Sequence, residues 1–150
     1  MYRCTTASLP FLFELAGEAT TPDRAAIVEL LVSIGRAAVE RCEAGWDPAD
    51  VVDYGGAAAV LRERGEAFVR FASDADPRVR RAAIPGLGLF IDNAGQAAAV
   101  LRGRLAAETG MVERLLALDA MAVLTVRLPG VLDEAMAWFA GLAADPGAGP

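Results

Sequence analysis

Asp74-Ala75-Asp76-Pro77-Arg78-Val79-Arg80-Arg81-Ala82-Ala83, continued by Leu87-Gly88, spells out the start of a helix. Asp76 suits the N-cap, where its carboxylate accepts a bond from a free backbone N–H, and Pro77 suits the first helical position, where a missing donor costs nothing. Ala83, Leu87 and Phe90 follow at helical spacing as an apolar stripe. Asp74 falls in the turn before this helix, close to its positive N-terminus, and Arg80 stands six residues later, one turn in.

The same pattern lies on either side without a gap. Leu15-Ala16-x-Glu18 and Leu105-Ala106-x-Glu108 match Phe71-Ala72-x-Asp74, and Arg24 and Arg114 follow their acids as Arg80 does. Core positions stay in step: Ile27, Ala83 and Ala117, then Leu31, Leu87 and Met121, then Ile34, Phe90 and Leu124. Leu142-Ala143-x-Asp145 opens a fourth copy. The acids are 34 residues apart from Asp74 to Glu108 and 37 from there to Asp145, but 56 from Glu18 to Asp74. The first copy therefore carries about twenty extra residues relative to a helix-pair period.

These signals predict first helices near 7–17, 57–73, 94–108 and 131–144, and second helices near 22–41, 77–91 and 111–127. Thr21-Pro22 reads as a helix start like Asp76-Pro77, and Asn93-x-x-Gln96 reads as a capping box. No stretch sustains strand alternation. Each repeated arginine can bridge to the acid of its own or the adjacent copy, a structural ladder of the kind that repeated positions in stacked folds supply. Pro85 removes one backbone donor from its helix and is expected to kink it.

On Asp74–Ala83 with Leu87-Gly88, the chain resembles a HEAT repeat, particularly the bacterial kind; the match is fair over 105–124 and weaker over 15–35. The resemblance implies an all-α fold, an α-solenoid of about three and a half HEAT-like helix pairs. It implies one repeat domain over 1–150 with an inserted loop at about 42–56, which could be a segment of a longer array. It also implies a non-catalytic module that binds or scaffolds a protein partner along a concave surface. Some members of that family are DNA glycosylases and some are bilin lyase subunits, so a nucleic-acid-binding or base-excising protein and a tetrapyrrole-handling one are the alternatives. Fold alone does not choose among them.

Composition narrows the field. A chain of 150 residues fits one domain that buries roughly 70% of its unfolded surface. All fourteen basic residues are arginine, and the net charge is −6. Phosphate backbones are repelled unless the arginines cluster, which makes nucleic acid an unfavoured partner. Histidine is absent, removing the commonest general base and most zinc sites. The absence of lysine beside abundant alanine, glycine and arginine fits a high-GC bacterial genome. Cys4 and Cys42 imply no disulfide framework, and no apolar run reaches the length of a membrane span. The expected setting is the cytoplasm, with no membrane association and no cofactor.

If second helices line a concave face, their non-core positions form the rows Ala25, Arg81, Leu115; Glu29, Pro85, Asp119; and Arg36, Asp92, Val126. Glu29, Arg36, Arg81 and Asp119 are the candidate partner-binding residues there. Arg78, Arg80 and Arg81 form a local basic cluster, read as a solvated or structural face. Asp119 projects from an otherwise apolar segment, and the expectation is a concave or interface carboxylate paired with an arginine. The insertion carries Trp46 and Tyr54, typical interface anchors, and either offers them to a partner or folds back on the helices. Asp47, Asp50 and Asp53 match no calcium loop. Both ends look uncapped: Phe11, Leu12, Phe13 and Leu15 at one, and Val131, Leu132, Met136, Trp138, Phe139 and Leu142 at the other. Either self-association through a terminal helix, most simply as a twofold dimer, or continuation of the stack in a longer array is the expected consequence.

Overall fold

The computed structural model describes residues 2–43 and 53–144. Among them the chain is all-helical, without a strand. The elements are α1 (Arg3–Gly17), α2 (Arg24–Glu43), α3 (Tyr54–Glu63), α4 (Glu66–Phe71), α5 (Pro77–Phe90), α6 (Ala94–Ala107), α7 (Met111–Arg127), a 3₁₀ turn at Pro129–Val131, and α8 (Leu132–Ala144). No helix among the described residues is long and apolar enough to cross a membrane.

The helix starts follow their local chemistry. Asp76 caps α5 by accepting from the Arg78 N–H at 2.8 Å, with Pro77 at the first turn. That bond is the chief reason the Asp76 carboxyl sits below its ordinary range. Thr21-Pro22 does not open α2 in the same way. Asp23 adopts a left-handed backbone, φ 51°, so the helix begins only at Arg24, and the Asp23 carbonyl accepts its first bond. Half of the expected capping box forms: Asn93 accepts from the Gln96 N–H at 3.1 Å, but the Gln96 amide donates across to Glu66 instead. Asp53 also serves as a cap, accepting from Gly56 at the start of α3.

The helix predicted over 57–73 is divided into α3 and α4. At the break, a Cβ on Gly65 would stand 2.6 Å from the Phe90 carbonyl oxygen, so only glycine admits this approach of α5's end. α5 runs through Pro85 as one helix. It packs chiefly on α7 and α2 and is buried almost all round, from Val79 through Phe90 apart from its Arg80, Arg81 and Pro85 side. α1 packs on α2 and α3, α4 on α5, and α6 on α7.

Phe68 is the hub of the core. It is fully buried and meets Phe13 and Phe71 edge-on, at 5.6 and 6.2 Å between centroids, and Phe90 in a tilted stack at 5.1 Å. Phe90 reaches across to α2, where its ring lies against Gly35 with no room for a side chain. α5 and α7 come closer still. Gly88 abuts the Ala120 carbonyl, so backbone rests on backbone.

Two rungs of the acid and arginine ladder cross from one helix pair to the next. Arg24 grips Asp74 in a two-point contact, at 2.6 and 3.3 Å, while its Nε donates to the Ala16 carbonyl of its own pair at 2.8 Å. Arg80 approaches Glu108 at 3.8 Å and donates to the Asp74 and Ala75 carbonyls of its own pair, both at 2.9 Å. The arginine thus serves both copies, binding its own backbone and its neighbour's carboxylate. The Arg24 hydrogen bond holds the Asp74 carboxyl below its ordinary range, against the opposing effect of partial burial and with help from the Asp76 N–H. The corresponding acid for Arg114, Asp145, lies outside the described residues.

The C-terminal end departs from the sequence expectation more than the N-terminal end does. At the C-terminal end Val131 and Ala135 are buried, and Trp138 and Phe139 pack partly buried on the core, with Trp138 beside Ala98 and Met121. Trp138 is therefore not the bare patch expected of it; α8 lays its own indole inward, and Arg102 ties the helix to α6 through Glu134. Among the described side chains of the expected patch Leu132 and Met136 remain exposed, and that of Leu142 lies outside them. At the N-terminal end Phe13 is buried and Leu12 half-buried, whereas Phe11 and Leu15 are exposed.

Candidate functional site

α2, α5 and α7 together carry two depressions that meet at Arg36. The smaller, about 300 Å³, runs from Glu29, Val32 and Ser33 on α2 across Arg81, Ala82 and Pro85 on α5 to Leu116 on α7. The larger, about 530 Å³, lies between Val39 and Glu40 of α2, Leu89 of α5, and Ala122, Val123, Val126 and Arg127 of α7. The floor is aliphatic and the rim charged. Val126, at 84% exposure, is the most solvent-exposed of the large apolar side chains there. Such a profile suits burial of a partner's apolar side chains, with polar groups at the edge setting orientation.

The rim charges differ in freedom. Arg127 is committed to the end of α5: it donates to the Gly88 carbonyl at 3.1 Å and to the Ile91 carbonyl, and pairs with Asp92 at 2.7 Å. Those carbonyls are the unsatisfied, negative end of a helix, where a cation is favoured. Arg81 pairs with Glu113 on α7 at 3.5 Å and is half exposed. Arg36 is exposed, and among the described residues no carboxylate lies within 4 Å of it. It is the charge best placed to meet an acidic group on a bound molecule.

The structure brings three of the sequence-derived candidates, Glu29, Arg36 and Arg81, to the rim of the smaller depression, and Arg36 also borders the larger, the two together forming the candidate groove. Asp119 lines neither depression. It is exposed, and among the described residues no arginine pairs with it; hydrated in this way, a carboxylate needs none, and the expected pairing is corrected. Tyr54 stands apart at the first turn of α3, half-buried against the core. Trp46 lies outside the described residues, as do Asp47 and Asp50, while Asp53 is occupied as a helix cap. Among the described residues no three acidic or cysteine side chains gather as a metal site.

Sequence reasoning missed Leu89, Val123 and Arg127. The first two form the row Ser33, Leu89, Val123, one step around the helix from the candidate rows, which the same gapless alignment contains. Arg127 gives no such signal, because its role depends on where α5 ends in space.

No protein-family model matches this chain. No curated protein and no solved structure matches it either.

Proposed function

We propose that the chain is a non-catalytic protein-binding module of the HEAT type: a short α-solenoid whose second helices α2, α5 and α7 present the groove to a cytoplasmic protein partner. The observation that carries the reading is the pair of adjoining depressions, which share Arg36 and lie on three helices at equivalent positions in the sequence repeat, apolar at the floor and charged at the rim. A groove of this form suits a helical or extended segment that lays apolar anchors on Leu89, Val123 and Val126 and sets an acidic group against Arg36.

The test is a comparison of surfaces. The wild-type chain, a Val126→Asp variant, an Arg36→Glu variant and a control with Arg70→Glu on α4, outside the groove, are used for affinity capture from the source organism with mass spectrometry. A partner kept by wild type and by the α4 control, and lost by both groove variants, supports the reading. Partners indifferent to both groove variants would falsify it.

A further inference from the structure

The outer face of α1 and α2 carries positions whose equivalents are buried elsewhere in the molecule, the acids against an arginine of the preceding pair and Gly86 against Phe68 of its own. In the gapless alignment Phe11, Leu15, Glu18 and Leu30 are equivalent to Ala67, Phe71, Asp74 and Gly86, and to Leu101, Leu105, Glu108 and Ala120. In the second and third copies every apolar member of the set is buried, and each acid is four-fifths buried and engaged by an arginine. In the first copy the same four positions face solvent: Phe11 is 65% exposed, Leu15 45% and Leu30 47%, and Glu18 is exposed as well. Here, then, is a stacking face with its apolar surface and its acid in place, on which no described element packs.

The charges on α1 say what covers it. Arg3 stands at the first turn and Glu14 and Glu18 at the last, the reverse of the order that the helix's own dipole favours. A second α1 running antiparallel reverses this disadvantage, because each helix's basic start then lies beside the other's acidic end. Positions 4, 7, 11, 15 and 18 fall on one side of the helix, and all are exposed. Arg3 and Glu18 are both exposed, and neither has an ion-pair partner among the described residues. They are about equally far from Phe11, one toward each end, so the face is complementary to itself under a twofold rotation.

We propose that the outer face of α1 and α2 binds the same face of a second copy of this chain, the two α1 helices antiparallel about Phe11, with Arg3 of each meeting Glu18 of the other. Leu15 and Leu30 supply the apolar contact beside that axis. Phe11, Leu15, Glu18 and Leu30 line neither of the α2–α5–α7 depressions, so the proposal rests on observations separate from those behind the binding role proposed above.

The full chain is examined by light scattering over a concentration series, with circular dichroism as a check that each variant remains folded. The mass should rise toward twice that of the chain. Leu15→Glu should return it to monomer, whereas Met136→Asp, at the opposite end, should leave the dimer intact. Arg3→Glu and Glu18→Arg should each weaken the dimer by roughly tenfold, and the two together should restore it. In a Cys4→Ser, Cys42→Ser background, Phe11→Cys should form a disulfide-linked dimer under mild oxidation, which fixes the register. A chain that stays monomeric at every concentration overturns the proposal. So does a dimer that Met136→Asp dissolves, or one that the paired charge swap fails to restore and Phe11→Cys fails to lock.

Discussion

The junction of α2 with α5 and that of α5 with α7 occupy equivalent places in the repeat, yet they are held differently. At the first, α2 meets side chains: the Phe90 ring fills the space over Gly35, and Arg24 grips Asp74 with two hydrogen bonds. At the second, backbone meets backbone at Gly88 and Ala120, Arg127 binds the carbonyl end of α5, and the ladder contact has lengthened to 3.8 Å. Competition accounts for the weaker rung. Glu108 lies between Arg80 and Arg104, at 3.8 and 3.4 Å, while the Arg80 Nη1 is taken by two carbonyls. A repeated residue pair therefore does not guarantee a repeated interaction energy.

Substitutions can separate the two junctions. Phe90→Ala should have the largest effect, about 3–5 kcal/mol, because it empties the α2 contact and one side of the Phe68 cluster together. Urea unfolding followed by circular dichroism measures it; a loss under about 1 kcal/mol would show that the first junction collapses to fill the gap. Gly88→Ala should follow, at about 2 kcal/mol, since its Cβ would press on the Ala120 carbonyl and backbone cannot swing aside as a side chain can. Unchanged stability there would mean that the second junction is looser than the close approach implies.

Arg24→Ala is expected to cost about 2 kcal/mol by leaving a mostly buried carboxylate without its cation. Arg80→Ala should cost about 1 kcal/mol, reflecting two carbonyl bonds and a distant acid, and it should leave any specific binding activity intact. Equal losses for the two arginines would erase the difference drawn between the rungs, and lost binding at unchanged stability would move Arg80 from structure to recognition.

The smallest effect is one of pH. The Asp74 carboxyl is lowered in the folded chain, so its stabilising contribution is fully present above the ordinary carboxyl value of 3.8 and fades as pH falls through the lower folded value. Asp74→Asn should therefore be less stable than wild type at neutral pH, and the two stabilities should converge as acid protonates Asp74. A difference that persists undiminished into acid would assign the loss to packing rather than to the charge.

Much of the fold was legible because helix periodicity and capping are local. Asp76-Pro77 and Asn93 needed only their immediate neighbours to begin α5 and α6, and six of the seven predicted helices survive as single elements within a few residues. Thr21-Pro22 was misread because Asp23 turns left-handed just beyond it, and the predicted 57–73 helix broke because Phe90, nineteen residues further along from Phe71, presses its carbonyl on Gly65. The candidate groove was half legible. Glu29, Arg36 and Arg81 came from the alignment, while the exposure of Asp119 and the engagement of Arg127 did not.

The sequence by itself determined the all-helical character, most of the helix bounds, and the recurrence of an acid and an arginine at fixed spacing, since those depend on positions along one chain. Tertiary structure alone decided which carboxylate each arginine reaches, how closely each pair of helices approaches, and which apolar residues are left in water. Those outcomes depend on separations between atoms far apart in the chain, where a difference of 1.2 Å distinguishes the contact of Arg24 with Asp74, at 2.6 Å, from that of Arg80 with Glu108, at 3.8 Å. A charge-assisted hydrogen bond exists at the first distance and not at the second.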